Sequence, residues 1–267
     1  AISSMTVKRQ RQGVRQLAMN IGRMADLADD DPRLAKLTRD AFRSYLRYYS
    51  EVFTLPRWSK ARVVAHVRAI NAQGLSSAVA QGGAIIAAPH SGNWDWAAAW
   101  AAATYGPVAT VAERLKPESL YRQFVRARQA LGVRVAALTG DGSTYDFLVA
   151  NLAQGHLVAL LADRDITRTG IGVTFADHPT RLPAGPALLA IETGKPLFTC
   201  ATHYDADTLV IVFAGPIPVD SSPCTSRERV ARAKEVTQAV AASFETLIRD
   251  QPQAWHQMQP VWPDLVA

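Results

Sequence analysis

The first 60 residues carry apolar side chains at helical spacing. Within "DDDPRLAKLTRDAFRSYLRYYSEVF" the arginines lie on one face, and apolar residues recur every three or four positions on another, at Leu34, Leu37, Ala41, Tyr45, Tyr49 and Val52. Asp30 or Asp31 precedes Pro32, an order typical of an N-cap followed by the first helical residue. The pattern predicts a helix here. It predicts another over Lys8 to Leu27, basic at its start and apolar on one side.

The pattern changes after Arg62. Val63, Ala65, Val67 and Ala69 alternate with more polar residues, which predicts a half-exposed strand. Short apolar runs then predict buried strands at 84–88, 108–112, 133–138, 157–163, 196–204 and 208–213. Helical patterns cover 94–104, 118–131, 143–154, 184–193 and 226–249. This alternation predicts a mixed, largely parallel central sheet flanked by helices.

The chain shows no internal repeat, linker or break in composition. We therefore expect one α/β domain over residues 1–267, with the N-terminal helices packed on its sheet. A chain of 267 residues, 48% of them hydrophobic, can bury a large core. It lacks a run of 18 or more apolar residues, so we expect no membrane-spanning helix. Cys200 and Cys224 stand alone, which predicts neither a disulfide framework nor a zinc site and favours a reducing, intracellular compartment.

Positive charge is concentrated near the N-terminus. Residues 1–68 hold 14 lysines and arginines against 6 acidic residues, whereas the net charge of the whole chain is +6. Such a surface suits the phosphates of a nucleotide-bearing cofactor, an anionic lipid or a nucleic acid. No zinc-finger spacing or RNA-binding signature accompanies it, so we expect no nucleic-acid partner. The basic helical part, residues 1–60, is a candidate membrane-facing region, and a solvated helix surface is the alternative.

The clearest chemical motif follows the strand predicted at 84–88. In "APHSGNWD", His90 lies where this strand ends, Gly92 allows a tight turn, and Asn93 is suited to cap the next helix. Asp95 falls in the first helical turn, where the helix dipole favours its ionised form. A carboxylate at this spacing can orient one imidazole nitrogen and leave the other as a general base. We therefore expect a His90–Asp95 pair that can deprotonate a hydroxyl.

The sequence shows no protein nucleophile beside this pair. It lacks a Gly-x-Ser-x-Gly turn, and Ser91 should point away from its neighbour His90. A base without a nucleophile fits direct attack of a substrate hydroxyl on an acyl donor. Two alternatives use the same residues: a helix cap beside a structural histidine, and metal-dependent hydrolysis by His90, Asp95 and Asp163, which lacks a second histidine ligand. Among the other histidines, His256 is the one that folding could bring to this site.

Several blocks of the chain resemble one enzyme superfamily. "HSGNWD" resembles the motif of the glycerolipid and lipid A acyltransferases, in which four residues separate a histidine from an acid. Four further blocks resemble the lipid A late acyltransferase branch, in order: "DAFRSYLRYYSEVFTLP", "FVRARQALGV", "LLADRD" and the tail "QPQAWHQMQPVW". Within this branch, "APHSGNWDWA" and the alanine-rich composition are most similar to mycobacterial phosphatidylinositol mannoside acyltransferases.

The resemblance implies catalytic roles for the matching acids and the histidine. His90 would take the proton from a sugar hydroxyl as the hydroxyl attacks an acyl-CoA thioester. Asp95 would orient His90 and balance the imidazolium. The block "LLADRD" implies a further catalytic carboxylate, Asp163 or else Asp165, at a position where relatives carry a glutamate.

The resemblance also implies substrate-binding residues. Arg128, in "FVRARQALGV", matches an arginine that meets phosphate or the thioester oxygen. Arg164 is a second candidate for a substrate phosphate. Asn93, which lies within the histidine motif, is a third candidate for substrate binding. No metal or cofactor is expected, since acyl-CoA is a co-substrate.

The resemblance thus implies an acyl-CoA-dependent O-acyltransferase. It would transfer a long, palmitoyl-like chain to a mannose hydroxyl of a phosphatidylinositol mannoside. Its partners would be acyl-CoA, the glycolipid acceptor and an anionic membrane surface, on the cytoplasmic face of the cell membrane as a peripheral protein. Two alternatives stay open: a lipid A late acyltransferase acting on an acylated glucosamine disaccharide, and a non-catalytic lipid-binding protein.

Overall fold

The computed structural model describes residues 4–114, 116–138 and 143–267, except for the side chains of residues 4–11 and 143. The helices are α1 (Ser4–Met24), α2 (Pro32–Val52), α3 (Lys60–Ala65), α4 (Gln73–Ala80), α5 (Trp94–Tyr105), α6 (Glu118–Ala130), α7 (Ser143–Ala153), α8 (Gly185–Thr193) and α9 (Ser226–Asp250). The strands are β1 (Val67–Ile70), β2 (Ala84–Ala88), β3 (Val108–Ala112), β4 (Val133–Ala137), β5 (Leu157–Leu161), β6 (Ile171–Phe175), β7 (His178–Leu182), β8 (Leu197–Asp205) and β9 (Thr208–Ile217). Short 3-10 helices span Leu55–Arg57 and Pro252–Ala254.

Within the described residues, seven strands form one sheet in the order β1-β9-β8-β2-β5-β3-β4. Neighbouring strands run parallel except β8 and β9, which form an antiparallel pair. The central strands β2 and β5 are apolar throughout, and the neighbouring strand β8 is buried over its first six residues, as expected for strands covered on both faces. The predicted mixed, largely parallel sheet is confirmed.

Helices cover both faces of this sheet and divide the core into two layers. One layer holds side chains of α7, α8 and α9 against the sheet. It also holds Trp255 and Trp262 of the C-terminal segment, residues 251–267. The other layer holds side chains of α3, α4 and α5, including Trp96 and Trp100. The central strands are therefore enclosed, and their side chains reach solvent only where the strands end.

The N-terminal helices α1 and α2 pack together and against the C-terminal segment. Helix α2 begins as the sequence predicts, because the Asp31 side chain accepts a hydrogen bond from the Arg33 N–H and Pro32 is the first helical residue. The apolar face of α2 buries Leu34, Ala41 and Val52. In the part of the chain that the structure describes, no helix combines the length and hydropathy needed to cross a bilayer.

The strand predicted across Val63 and Ala65 is wrong, because both residues belong to helix α3. Ser59 caps this helix by accepting a hydrogen bond from the Arg62 N–H at 3.2 Å. The Trp96 indole N–H donates to the Val63 carbonyl at 3.0 Å. A local cap and a tertiary contact thus outweigh an alternation too short to fix a strand.

The β6–β7 hairpin is absent from the sequence predictions. Its two-residue turn is Ala176–Asp177, with φ of 47° and 62°. Both values lie in the left-handed region that hairpin turns of this type require and that Asn-Gly or Asp-Gly usually supply. Without that signal, the turn between these strands could not be recognised.

Candidate active site

The site lies at the edge of the sheet where β2 and β5 end. The two strands are parallel neighbours, with Ala84 opposite Leu157 and Ala88 opposite Leu161. His90 follows the last residue of β2 by two positions, and Asp163 follows the last residue of β5 by two. His90 Nδ1 lies 2.6 Å from Asp163 Oδ1. The register of two adjacent strands therefore pairs the imidazole with a carboxylate 73 positions away.

Asp163 is fully buried, yet its contacts keep the carboxylate ionised. Burial by itself would raise the pKa of Asp163, but the nearby His90 and the N–H donors of His90 and Trp255 outweigh burial and lower the pKa. An ionised carboxylate only accepts hydrogen bonds, so His90 Nδ1 must carry the proton that it shares with Asp163. This leaves Nε2 of His90 as the nitrogen able to accept a proton.

The expected hydrogen bond between His90 and Asp95 is wrong. In the described part of the chain, Asp95 accepts hydrogen bonds from other groups: Arg128 Nε at 2.6 Å, Arg128 Nη2 at 3.1 Å and the Tyr48 hydroxyl at 2.8 Å. Asp95 is the second residue of α5, and these contacts direct its side chain towards α2 and α6. The imidazole is instead oriented by Asp163.

The Asp95–Arg128 pair is a buried ion pair that joins three helices. The side chain of Asp95 is 4% exposed and that of Arg128 is 16% exposed. Burial disfavours the charged form of Arg128, but the Asp95 charge outweighs it and raises the pKa of the guanidinium. Burial and the same negative charge raise the pKa of Tyr48. The cluster links α2, α5 and α6 around the cleft beside His90.

Two of the other predicted site residues lie near the cleft, although neither contacts His90. Arg164 lines the cleft and lies 3.7 Å from Glu113, and both side chains are partly exposed. Asp165 accepts a hydrogen bond from the Gly170 N–H at 2.9 Å. Asp165 therefore shapes the loop after β5, and Asp163 is the acid of that strand end that meets His90.

The prediction that Asn93 binds substrate is contradicted by its surroundings. Asn93 is fully buried. Its side-chain oxygen accepts from the Trp96 N–H at 2.9 Å, and its amide group donates to Glu51 at 2.9 Å. Both ends of the side chain are thus used in capping α5 and tying it to α2. The predicted cap is confirmed.

The C-terminal segment completes the site. The Gly92 N–H donates to the Ala254 carbonyl at 2.9 Å, and the His256 N–H donates to the His90 carbonyl at 2.8 Å. The Trp255 indole N–H donates to Asp163 Oδ2 at 2.8 Å. This segment lies alongside the His90 turn like a short added strand, so successive side chains point in opposite directions.

The side chain of His256 points to the opposite side of this segment from that of Trp255, and it lines the cleft together with His90. Burial, and secondarily the nearby His90, lower the pKa of His256 to about 3, so its ring is neutral at ordinary pH. Its Nε2 lies 2.8 Å from the Ser44 hydroxyl oxygen. Its Nδ1 is buried and has no hydrogen-bond partner within the described residues.

A cleft of about 500 Å³ opens over His90. Aromatic and polar side chains surround its mouth, among them Tyr45, Tyr49 and Trp94. A second, mainly apolar cavity of about 80 Å³ lies beneath α5, where Ala98 and Ala101 face the sheet. Trp94, Val111, Arg128, Leu160 and Leu161 line both spaces, so the two adjoin.

The three proposed metal ligands do not converge. Asp163 is paired with His90, whereas Asp95 is held by Arg128 and Tyr48. Across residues 4–114, 116–138 and 143–267, leaving aside the undescribed side chains, no group of three or more His, Cys, Asp or Glu residues could hold a metal ion. The arrangement instead offers a general base, oriented by a buried carboxylate, at the floor of an open cleft.

The family model for bacterial lipid A biosynthesis acyltransferases matches residues 3–263. The chain belongs to this family. A phosphatidylinositol mannoside acyltransferase from Mycolicibacterium smegmatis is 40% identical over 257 residues, which cover 94% of this chain and 80% of that protein. A protein of the same name from Mycobacterium tuberculosis is 37% identical, with 94% of this chain and 77% of its own length covered.

The sequence located the histidine of this site but misassigned its partner. His90 and Asp163 each follow a buried strand, and adjacency of those strands was the signal that would have paired them. Tyr48 and Trp255 carried no such signal, because both reach the site through packing of the chain termini. The sequence indicates His256 only as a histidine that folding could bring to the site.

Proposed function

We propose that this chain transfers a long acyl group from acyl-CoA to a mannose hydroxyl of a phosphatidylinositol mannoside. The observation that carries the chemistry is the His90–Asp163 pair, which faces an open cleft. His90 Nδ1 lies 2.6 Å from Asp163 Oδ1. The acceptor is inferred from the names of the mycobacterial relatives, which match 94% of the chain. Acyltransferase activity follows from the family.

In the proposed reaction, Nε2 of His90 takes the proton of the acceptor hydroxyl. The oxygen attacks the thioester carbonyl carbon, a C–O bond forms, and the C–S bond breaks as the tetrahedral intermediate collapses. The leaving sulfur takes the proton back from the His90 imidazolium, so CoA departs as the thiol and the enzyme returns to its starting state. Asp163 holds Nδ1 and balances the imidazolium while the proton resides on the ring.

Transfer without a covalent acyl-enzyme is supported by the surroundings of His90. Ser91, the nearest hydroxyl in sequence, accepts a hydrogen bond from the Thr202 N–H at 3.0 Å and is buried away from the cleft. Burial raises the pKa of the Cys200 thiol to about 12, which makes it a poor nucleophile.

The acceptor is identified by incubating the protein with palmitoyl-CoA and either a phosphatidylinositol mannoside or a lipid A precursor. Mass spectrometry should find one added palmitoyl group on the mannoside, and none when His90→Ala replaces the wild type. Acylation of the lipid A precursor alone would instead support the family's namesake reaction. Binding of both lipids without any acylation would support a non-catalytic role.

His256 is a second group that we assign to the acceptor. Its Nδ1 is buried beside the cleft and lacks a protein partner in the described residues, a costly arrangement unless a ligand supplies the hydrogen bond. A neutral imidazole nitrogen can donate to or accept from a sugar hydroxyl with equal ease. We therefore assign this nitrogen to a hydroxyl next to the one that is acylated.

We also propose that the protein docks peripherally on the cytoplasmic face of the cell membrane through α2 and α1. Leu46 and Tyr49 on α2 and Phe53 at its C-cap form an exposed apolar row, spaced by three and four residues. Arg39 and Arg43 continue this row towards the helix start and are also exposed. Tyr49 lines the mouth of the cleft, so a bilayer that meets this row lies next to the proposed acceptor site.

A further inference from the structure

The tail of the chain contains a tryptophan whose polar atom reaches the catalytic pair. Trp255 is fully buried, and its indole N–H donates to Asp163 Oδ2 at 2.8 Å. The other oxygen of the same carboxylate meets His90 Nδ1 at 2.6 Å. Oδ2 also accepts from the His90 backbone N–H at 3.0 Å. The Gln257 amide, at 3.5 Å, is at the outer limit of a hydrogen bond.

Rigid neighbours fix the position of the indole. Trp255 packs edge-on against Phe175 and Trp262, with ring centroids 6.3 Å and 6.2 Å away. The backbone on either side of it bonds to Gly92 and His90. The same short segment therefore holds the turn that carries His90 and the carboxylate that orients it.

We propose that Trp255 is a positioning residue of the active site, holding the Asp163 carboxylate towards His90 through its indole N–H. This role rests on the proposed function of His90 as the general base. Two N–H groups hold the second oxygen of Asp163, the His90 backbone at 3.0 Å and the indole at 2.8 Å, and the indole makes the shorter contact.

The indole also sets how strongly the pair binds a proton. An N–H donor stabilises a carboxylate most when no other charge compensates it, which is the case while His90 is neutral. Once His90 is protonated, the imidazolium compensates Asp163 and the indole adds less. Removing the indole N–H therefore destabilises the unprotonated pair more than the protonated pair. The pair then takes up its proton at a higher pH.

Other ionisable groups surround the pair and must stay unchanged in the test. Asp163 faces His90, whereas the uncharged Trp255 and Gln257 supply its other side-chain contacts. The ionisable side chains that line the cleft with His90 come from several elements: Tyr45, Tyr48, Tyr49, Glu113, Tyr121, Arg128, Tyr145, Arg164 and His256. All of them are retained when a tail tryptophan is substituted.

The chain offers a matched control in Trp262. This residue is equally buried, lies in the same aromatic cluster, and donates its indole N–H to the Phe175 carbonyl at 2.9 Å. Trp255→Phe and Trp262→Phe thus each remove one buried hydrogen bond and the same volume, but only Trp255→Phe removes a donor from Asp163. A structural role alone predicts similar behaviour of the two variants.

The experiment measures the pH dependence of turnover and, by NMR without substrate, the titration midpoint of the His90 imidazole. In Trp255→Phe, both the acid limb of the rate profile and the midpoint should move upward by about 0.5–1 pH unit. The KM for acyl-CoA should stay unchanged. Trp262→Phe should lose about as much thermal stability as Trp255→Phe, but neither its acid limb nor its His90 midpoint should move. Equal midpoints in Trp255→Phe and the wild type, or equal shifts in both variants, would overturn the proposal.

A second replacement covers the case in which Trp255→Phe does not fold. Incorporation of 3-benzothienylalanine at position 255 keeps the ring shape and replaces the indole N–H by sulfur, so packing is retained and only the donor is lost. It should give the same upward shift, and a wild-type midpoint would refute the role of Trp255. If the wild type acylates no acceptor but the His90 midpoint still moves upward in the variant, the proposed function fails while the role of the contact to Asp163 stands.

Discussion

At the scale of single residues, the two acids of the site meet basic groups of different kinds. Asp163 meets a titratable imidazole, whereas Asp95 meets a permanently charged guanidinium. A carboxylate next to an imidazole can support proton transfer. A carboxylate next to a buried arginine compensates its charge, so its loss leaves that charge unpaired. Substitutions of the two acids should therefore affect different measurements.

Asp163→Asn should lower turnover by about 10²–10⁴-fold, because an amide cannot balance the imidazolium and can force the wrong tautomer of His90. The KM for acyl-CoA should change little, since Asp163 lies beneath the imidazole. Steady-state kinetics checks this, with Asp165→Asn as the control two residues away. Equal losses of turnover in the two variants would contradict the assignment of Asp163.

Asp95→Asn should mainly lower stability. It leaves the Arg128 charge, 16% exposed, without its ion-pair partner, and breaking such a pair costs about 3–5 kcal/mol. Denaturant unfolding measures the loss, and Asp264→Asn is the control because its pair with Arg23 has an exposed carboxylate worth about 1 kcal/mol or less. Unchanged stability together with lost turnover would return Asp95 to the chemistry.

His256→Gln keeps a polar atom near the position of Nε2, which meets Ser44, and lacks one at the position of Nδ1. The catalytic efficiency for the acceptor should therefore fall by about 3- to 10-fold, the value of one uncharged hydrogen bond. Hydrolysis of acyl-CoA without acceptor should stay close to wild type. Ser44→Ala, which removes only the other contact, serves as the control. If it impairs acceptor use equally, Nδ1 has no special part in binding.

At the scale of elements, helix α5 packs on the sheet beside the cleft, and its alanines leave room beneath it. Ala98 and Ala101 line the apolar cavity of about 80 Å³ next to the cleft. An acyl tail needs such a place, because each methylene moved out of water contributes about 0.8 kcal/mol. We expect this space to receive part of the acyl chain.

Ala98→Phe should fill this space and shift the preference from palmitoyl towards shorter donors. The expected change is about fourfold in relative kcat/KM for each methylene excluded. Competition between acyl-CoA donors of different length measures it. Thr104→Phe adds the same ring to the exposed side of α5 and should leave the preference unchanged. An unaltered chain preference in Ala98→Phe would place the acyl tail elsewhere.

At the scale of the whole molecule, the N-terminal part of the chain carries both the concentration of basic residues and the exposed apolar row of α2 and its C-cap. The 14 basic residues of the first 68 include Lys8, Arg9, Arg11 and Arg15 on α1; the side chains of the first three lie outside the described part. Each charge near an anionic bilayer contributes about 1 kcal/mol, and the attraction decays within about 8 Å at physiological salt. Apolar anchors on α2 would add a contribution that salt does not screen.

Replacing these four basic residues with Gln should weaken binding to phosphatidylinositol vesicles, and raised salt should weaken binding of the unaltered protein. Leu46→Ser with Phe53→Ser should weaken binding at every salt concentration. Val230→Ser, at a still more exposed apolar position on α9, is the control. Co-sedimentation measures all four, and hydrolysis of soluble acyl-CoA should stay unchanged. Salt-independent binding by the unaltered protein would exclude electrostatic docking, and weaker acyl-CoA binding by the Gln variant would assign the basic residues to the donor.

The sequence alone predicted most of the elements and placed His90 directly after β2. Apolar runs and helical periodicity depend on neighbours within a few residues, so they predicted β2, β5, α2 and α5 close to their true bounds. The cap at Asn93 and the position of His90 after β2 are equally local. Such features are encoded in short segments and can be predicted without knowledge of the tertiary contacts.

Only the tertiary structure decided which residues meet. The partner of His90 depends on β5 lying beside β2 in register, and the partner of Asp95 depends on how α2 and α6 approach α5. Trp255 and His256 reach the site because the C-terminal segment returns to the His90 turn. These contacts join residues dozens to hundreds of positions apart, and their energies depend on burial, which no local pattern contains. Nearness in sequence suggested Asp95, but distance in space selected Asp163.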